Sequence, residues 1–193
     1  KRFRKILENH ENEIFDALHK DLGKPKTEAL FELIALKQEL NLVTEKLQNW
    51  MKPKPVKVPM SFQPAKAMVV NEPLGCVLII GPWNYPFSLT LQPLISALAA
   101  GNTAVLKPSE HAPATSNLIS RLIRQYFPSD IVEVFEGDGK IAASLLEIPF
   151  DHIFFTGGSK IGKKVMAAAA KNLTPITLEL GGKSPAIILK DAD

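Results

Sequence analysis

Four short segments of this sequence combine turn-forming glycine or proline with polar side chains, and each follows or ends an apolar run. They are GPWNYPF at 81–87, LKPSE at 106–110, FTGGSKIGKKV at 155–165 and LELGGKSP at 178–185. In open parallel sheets, ligands gather beyond the carboxyl ends of the strands. Polar residues in these four segments are therefore the first candidates for binding and catalysis.

The first segment could supply an oxyanion ligand. Gly81, Pro82 and Pro86 predict a tight turn that places Asn84 at the end of the preceding apolar run. An asparagine amide donates a hydrogen bond to an oxyanion without having to ionise. Asparagine is also a common turn residue, and its spacing alone favours that simpler interpretation.

The second and fourth segments each carry a carboxylate. Lys107 and Glu110 lie where an apolar run gives way to a helical pattern, so they could hold ribose hydroxyls. The alternative is a helix start at Ser109 with solvated charges beside it. Glu179 ends an apolar run before Gly181 and could act as a general base. The alternative is a strand-end carboxylate that faces solvent.

The third segment has the construction of an anion site. The pair Gly157–Gly158 separates an apolar run from a helix that opens with Ser159, and the amides and dipole of such a helix attract phosphate. With Gly162 and Lys163 the segment nearly matches G-x-x-x-x-G-K-[ST], but Lys164 replaces the hydroxyl that binds magnesium. A phosphate site and a plain tight turn are about equally favoured.

Cys76 is the single cysteine and so the one thiol that could act as a nucleophile. It opens a buried apolar run, away from the four segments, and a small buried hydrophobic side chain is the better interpretation. One cysteine excludes an internal disulfide framework and suits a reducing compartment, so we expect a cytoplasmic protein. The scattered histidines and this cysteine lack zinc-ligand spacing, and we expect no metal site.

Composition excludes several other classes of protein. The sequence has 193 residues, of which 46% are hydrophobic and 22% charged, as in an ordinary globular chain. A net charge of +3 is too small to indicate a nucleic-acid partner. No apolar run approaches the roughly 18 residues of a membrane span, and the opening KRFRKILENHENE lacks the apolar core of a secretory signal.

The chain divides into three stretches that differ in composition and hydrophobic pattern. The pattern of residues 1–50 predicts helices. The first helical stretch stops at LGKP, and a second helix is predicted over 27–50, with its charged residues on a face exposed to solvent. Residues 51–70, rich in proline and lysine, predict either a linker or a pair of edge strands. Over 71–193, apolar runs alternate with helical patterns, which predicts a doubly wound parallel α/β sheet of the dinucleotide-binding type. The runs are 76–80, 103–107, 131–135, 152–156, 176–180 and 185–189, and the helical patterns are 88–100, 113–126, 140–147 and 159–171.

In this order, the four segments resemble the aldehyde dehydrogenase superfamily, as do DLGKP and the closing KDAD. PWNYPF and the proline-rich stretch before VNEPLG are most similar to its class-three, or fatty-aldehyde, branch. The resemblance covers nearly the whole chain. It implies a Rossmann-like domain and NAD(P)-dependent oxidation of an aldehyde to a carboxylic acid through a thioester.

The resemblance also implies a role for individual residues. Asn84 would hold the oxyanion, and Glu179 would activate the water that hydrolyses the thioester. Lys107 and Glu110 would bind the adenine ribose, and a carboxylate there favours NAD, with NADP possible. The remaining cofactor contacts would come from Trp83, Gly157, Gly158, Ser159, Gly162, Leu180 and Gly181. The family often has Ser or Asn at the position of Gly158, so one side-chain contact to phosphate is expected to be missing.

The family's nucleophile lies downstream of LELGGK in a Gly-Gln-x-Cys motif, which no residue up to Asp193 matches. We therefore expect this sequence to supply cofactor binding, the oxyanion amide and the general base, and to be inactive alone. The expected partners are a small aldehyde and a second copy in a dimer. Two alternatives stay open: a phosphate-loop-like nucleotide-binding domain, and a non-catalytic binding protein of the same fold.

Overall fold

The first part of the chain is helical. The structure is a computed structural model that describes residues 1–192. Three helices come first, α1 (Arg2–Asn9), α2 (Glu11–Leu22) and α3 (Lys26–Trp50). Gly23 ends α2 with a left-handed backbone, φ +66°, which glycine adopts without strain, so the predicted stop at LGKP is confirmed.

The buried side of α3 includes a charged residue. Leu30 and Ile34 of this helix are 38% and 36% exposed. The buried side instead carries Leu33, Leu36 and Glu32, and Glu32 is only 1% exposed. The prediction that the charges of this helix form a solvated face was therefore wrong for Glu32.

The proline-rich stretch forms a small hairpin of its own. Strand β1 (Lys54–Val56) pairs antiparallel with β2 (Ala67–Val69), and a short 3₁₀ helix at Met60–Phe62 lies between them. Both strands are exposed along their whole length. Of the two alternatives for this stretch, the paired strands are the one observed.

The rest of the chain builds a parallel sheet wrapped by helices. Its strands have the spatial order β5-β4-β3-β6-β7, and every neighbouring pair is parallel. The strands are β3 (Cys76–Ile80), β4 (Thr103–Lys107), β5 (Val132–Val134), β6 (His152–Gly157) and β7 (Ile176–Leu180). The helices between them are α4 (Ser88–Ala99), α5 (Pro113–Tyr126), α6 (Gly139–Leu145) and α7 (Ser159–Lys171). The chain winds outward from β3 in one direction and from β6 in the other, so the prediction of a doubly wound sheet is confirmed.

Each face of the sheet has its own apolar core. On one face, α4 packs on β3 and β4 and α5 packs on β5, and α1–α3 cover these two helices in turn. Ile79 and Leu94 belong to this core. On the other face, Leu78 and Phe155 pack against Val165 of α7. Both faces of the central strands are thus buried, which is why these strands read as continuous apolar runs in the sequence.

One predicted strand is not formed. The run at 185–189 pairs with no strand of the described residues, and Ile187 and Ile188 in it are 83% and 85% exposed. A strand requires a partner edge, and the chain leaves the sheet after Leu180 without one beside it. In residues 1–192 no helix has both the length and the apolarity that crossing a bilayer requires.

Candidate functional site

A cleft opens at the carboxyl edge of the sheet, where the strand order reverses between β3 and β6. This is where doubly wound sheets bind their ligands. The cleft has a volume of about 1050 Å³ and extends along α4 to Glu39. Most of the predicted site residues line it together: Trp83, Asn84, Lys107, Glu110, Gly157, Gly158, Glu179, Leu180 and Gly181.

The Asn84 turn, residues 81–87, forms one wall of the cleft. Gly81 donates its N–H to the Lys107 carbonyl over 3.0 Å, which continues the β3–β4 ladder into the turn. A Cβ on Gly81 would lie 2.0 Å from Thr90 Oγ1, so only glycine lets the turn pass this close to α4. The Asn84 side-chain oxygen accepts from the Tyr85 N–H at 3.1 Å. This bond leaves the Asn84 NH₂ group as the end that can donate to a ligand.

Lys107 and Glu110 form a partly buried ion pair at the end of β4. Lys107 is 2% exposed, and its Nζ donates to Glu110 Oε2 at 2.8 Å and to the Pro108 carbonyl at 3.0 Å. Burial alone would raise the pKa of Glu110, but the hydrogen bond and charge of Lys107, with a backbone hydrogen bond, lower it overall. The carboxylate therefore stays ionised near neutral pH and can accept hydrogen bonds from hydroxyl groups.

The helix after Glu110 does not start where the alternative interpretation placed it. Ser109 Oγ accepts only from the His111 N–H at 3.3 Å, and α5 begins at Pro113. The first free amides of α5, on Ala114 and Thr115, donate to the Asp21 carboxylate at 2.9 and 2.7 Å. A residue of α2 thus caps this helix and fixes the end of the Glu110 loop.

The amino terminus of α7 points its free amides at the cleft. Gly158 lines the cleft as the cap residue, and no side chain of residues 1–192 caps the helix. The Gly158 carbonyl accepts from Ile161 and Gly162, both at 3.0 Å, so the helix is regular from its first turn. No acidic residue lies in that turn to offset the dipole. The backbone here has the charge that attracts a phosphate group.

Ser159 and Gly162 lie beside the cleft rather than in it. Ser159 is the exposed first residue of α7, and Gly162 is buried one turn later. A Cβ on Gly162 would lie 2.8 Å from Leu180 Cδ2, so this glycine lets α7 approach the end of β7. A Cβ on Gly157 would lie 2.7 Å from the Phe155 ring.

Glu179 lies opposite Asn84 across the cleft. It pairs with Thr156 in the β6–β7 register and is exposed. Since β6 separates β3 from β7, the two strands that lead to these residues lie about 10 Å apart, two strand spacings. The cleft thus places an amide donor and a carboxylate on either side of a space that a small substrate could enter.

Cys76 lies at the other end of the sheet. It is the first residue of β3, four residues before the strand's carboxyl end, and so about 13 Å from the turn. Its N–H donates to Asp151 Oδ2 at 2.7 Å, and neither residue lines the cleft, although their neighbours Val77 and His152 do. In residues 1–192 no group of His, Cys, Asp and Glu side chains could hold a metal ion.

Two residues that sequence reasoning missed contact the Asn84 turn. Lys24 Nζ lies 2.8 Å from Glu32 Oε1 and donates to the Asn84 carbonyl, also at 2.8 Å. Glu32 falls on the same helix face as Leu33 and Leu36, and a carboxylate on an apolar face is the signal that could have found it. Lys24 stands in LGKP, where the glycine and proline drew the interpretation toward a helix stop.

Known proteins match this chain over nearly its whole length. The model of the Aldehyde dehydrogenase family matches residues 1–193. "Aldehyde dehydrogenase family 3 member H1" of Arabidopsis thaliana is 50% identical over 189 residues, 97% of this chain and 39% of that protein. "Aldehyde dehydrogenase, dimeric NADP-preferring" of Canis lupus familiaris is 42% identical over 98% of this chain and 42% of that protein.

A solved structure, "Substrate bound state of Staphylococcus Aureus AldH", superposes with a TM-score of 0.90 at 45% identity and covers 96% of this chain and 41% of that one. The chain therefore spans about two fifths of the length of the relatives it matches. The resemblance to the class-three branch is confirmed by these relatives. Because the family model spans the full sequence and the fold agrees with it, this chain belongs to the aldehyde dehydrogenase family.

Proposed function

We propose that this chain forms the cofactor-binding part of an NAD(P)-dependent dehydrogenase that oxidises an aldehyde to a carboxylic acid through a thioester. One observation carries the proposal. A single cleft is lined by the Asn84 amide, the Glu179 carboxylate, the Lys107–Glu110 pair and the Gly158 end of α7. Family membership favours this over the phosphate-loop alternative.

The residues of the cleft fit a dinucleotide. The uncapped amides of α7 suit the pyrophosphate, because they carry unpaired donors and the positive end of the helix dipole. Glu110 has a side chain 35% exposed and one oxygen held by Lys107, which leaves acceptor capacity for the ribose hydroxyls. The carboxylate favours NAD, since the 2′-phosphate of NADP would meet like charge. A dinucleotide held by these residues would supply the hydride acceptor for the oxidation.

Asn84 and Glu179 would divide the chemistry between them. The Asn84 NH₂ group donates to the oxygen of the tetrahedral intermediate, and it needs no proton transfer to do so. Glu179 takes a proton from the water that hydrolyses the thioester. Cys76 opens β3, at the opposite end of the strand from the Asn84 turn, and so is too far to attack a substrate held between Asn84 and Glu179. We therefore expect another thiol to be the nucleophile.

The test uses the complete protein that the gene encodes, with a panel of aldehydes and both dinucleotides, and follows reduced dinucleotide. We expect Asn84→Ala to lower kcat about 100- to 1000-fold. We expect Glu179→Gln to release about one equivalent of reduced dinucleotide per site in a burst and then to turn over 100- to 10,000-fold more slowly. Asn12→Ala and Glu136→Gln change exposed residues outside the cleft and serve as matched controls.

The two variants separate the two halves of the mechanism. Asn84 acts before the dinucleotide is reduced, so its variant should show no burst, whereas the Glu179 variant should keep one. Full turnover by Glu179→Gln, or an absence of aldehyde-dependent reduction in the complete wild-type protein, would refute the proposal. The second result would favour a non-catalytic binding protein of the same fold.

We also propose that the complete protein is a homodimer located in the cytoplasm. The exposed β1–β2 hairpin, with Met60 89% and Phe62 66% exposed, is the surface we expect a second copy to cover. Light scattering of the complete protein should give twice the mass of one chain. A monomer at micromolar concentration would contradict this, and Phe62→Glu is the variant that should produce one.

A further inference from the structure

The buried pair Lys24–Glu32 lies at the corner between α2 and α3. The two side chains are 6% and 0% exposed, and Lys24 Nζ lies 2.8 Å from Glu32 Oε1. Both sit directly beneath the Asn84 turn, although they are about 50 to 60 positions away in sequence.

The pair holds the turn at its middle and at its carboxyl-terminal end. Lys24 Nζ donates to the Asn84 carbonyl at 2.8 Å, and the same ammonium lies 3.9 Å from the centre of the Tyr85 ring. At the far end, Glu32 Oε2 accepts from the N–H groups of Phe87 at 3.1 Å and Ser88 at 2.9 Å. The second oxygen of Glu32 binds Lys24, so one carboxylate joins the start of α4 to the ammonium that holds Asn84.

The rest of the turn offers little other support. Trp83, Asn84 and Tyr85 are all exposed, so packing does not fix the peptide that carries the amide. Pro82 and Pro86 restrict their own φ angles, and Tyr85 is restricted by the proline after it and by a hydrogen bond from the Leu89 N–H to its carbonyl at 3.0 Å, but none of these acts on the Asn84 carbonyl. Helix α4 has no side-chain cap from its own N-cap residue, Phe87, and relies on Glu32 instead. The orientation of Asn84 therefore depends on Lys24 and Glu32.

A contribution to folding stability does not by itself explain why an ion pair is buried here. Two apolar residues of similar volume are often as stabilising as a buried ion pair, or more so, because both charges must lose their hydration. What an apolar pair cannot do is bind a backbone carbonyl and two backbone amides in defined directions. A side chain that donates to an oxyanion needs such precision, since displacing it by about 1 Å can lower the rate about 100-fold.

We propose that Lys24 and Glu32 are positioning residues that hold the Asn84 amide in its productive orientation. The inference rests on the proposed function, because it gives Asn84 its role in the reaction. Neither residue lines the cleft itself. Lys24 acts on the turn through the Asn84 carbonyl and the Tyr85 ring, and Glu32 acts through the amides at the start of α4.

The test again uses the complete protein. Lys24→Met removes the ammonium and keeps the length of the side chain. The double variant Lys24→Met/Glu32→Gln also removes the negative charge that Lys24→Met leaves buried without a partner. The amide oxygen of the new side chain at position 32 can still accept from the Phe87 and Ser88 N–H groups. This variant therefore guards against simple misfolding. Lys26→Met and Glu28→Gln are exposed neighbours that serve as matched controls. For both test variants we expect kcat to fall about 10- to 100-fold, with the dissociation constant for the dinucleotide within about twofold of wild type.

The decisive measurement repeats Lys24→Met in an Asn84→Ala background. If Lys24 acts through the Asn84 amide, its effect on kcat should shrink to less than about threefold once that amide is gone. An equal loss of kcat in both backgrounds would overturn the proposal, because it would mean a purely structural role. An unchanged kcat in the double variant Lys24→Met/Glu32→Gln would overturn it as well.

Hydrogen exchange separates this inference from the proposed function. Amides of the segment 82–88 should exchange at least about 10-fold faster in Lys24→Met/Glu32→Gln and at the wild-type rate in the controls. If the complete wild-type protein reduces no dinucleotide, the proposed function fails. Unchanged exchange of the segment 82–88 in Lys24→Met/Glu32→Gln would independently refute the inference that Lys24 and Glu32 hold the turn.

Discussion

Removing the Asp21 carboxylate should loosen the start of α5 and the loop that carries Glu110. The N-cap residue of α5, Ala112, has no side chain that can accept a hydrogen bond, and Pro113 has no N–H. The next two amides, on Ala114 and Thr115, depend on Asp21 at 2.9 and 2.7 Å. In Asp21→Ala both lose their acceptor.

The size of the effect follows from two terms. Loss of a capping side chain costs about 0.5–2 kcal/mol. Loss of a negative charge at a helix amino terminus costs about 0.3–1 kcal/mol more. The total of about 1–3 kcal/mol predicts that the first turn of α5 opens about 5- to 150-fold more often, at about 1.4 kcal/mol for each factor of ten. Asp21→Asn keeps an acceptor without the charge and should fall between wild type and Asp21→Ala.

Hydrogen exchange of the segment 113–118 in the complete protein measures this opening directly. Asp16→Ala is the matched control, because Asp16 lies on the same helix and is exposed. Its variant should change exchange by no more than about twofold. Exchange in Asp21→Ala no faster than in Asp16→Ala would refute the reasoning, since it would show that water replaces the carboxylate at no cost.

The remaining predictions concern charge, space and protonation in the complete protein. Because the pKa of Glu110 is lowered, its charge persists as pH falls through the usual carboxyl range, so the affinity for NAD should stay constant from pH 8 to 5. The affinity ratio of NAD to NADP is compared at pH 7 alone, because the 2′-phosphate of NADP titrates at about pH 6. Glu110→Gln should reduce that ratio by about 5-fold, the upper value for a partly exposed charge; an unchanged ratio would count against its contact with the ribose. Gly81→Ala should lower the free energy of unfolding by about 1–3 kcal/mol through its clash with Thr90. Gly158→Ser, where nothing lies within 4 Å of the new Cβ, should leave the melting temperature unchanged and bind the dinucleotide at least as tightly. Burial lowers the pKa of His152, so the unfolded state takes up its proton first and stability should fall as pH drops below about 6.5. His152→Gln should reduce the difference in melting temperature between pH 7 and pH 5, and an equal difference in both proteins would contradict that.

The sheet was predictable because its signals are local. The strands at 76–80, 103–107 and 176–180 begin and end where the apolar runs do. A strand buried on both faces must be apolar along its whole length, and the glycines and prolines that follow mark where it stops. The run at 185–189 carries the same local signal and failed, because pairing depends on a neighbouring strand that local composition does not reveal.

The supports of the site were not predictable, since they come from distant parts of the chain. Ser109 looked like the cap of α5 because it precedes the helix, yet the capping carboxylate comes from Asp21. Glu32 looked like one more surface charge of α3 until the Asn84 turn was found to pack on it. In both cases a polar side chain satisfies backbone amides more than 50 positions away, and single-sequence periodicity carries no information about such a contact.

These supports share one origin, the corner between α2 and α3. Asp21 fixes the helix that follows Glu110, and Lys24 fixes the turn that carries Asn84. The two residues are separated by the left-handed Gly23, φ +66°, which ends α2 and sets the direction in which Lys24 leaves it. One helix end therefore supports both the ribose side of the cleft and its oxyanion side. It follows that Gly23→Ala, although nothing lies within 4 Å of its new Cβ, should disturb both loops at once through backbone strain. Faster hydrogen exchange in both 82–88 and 113–118 would support this coupling, and a change in only one of the two segments would refute it.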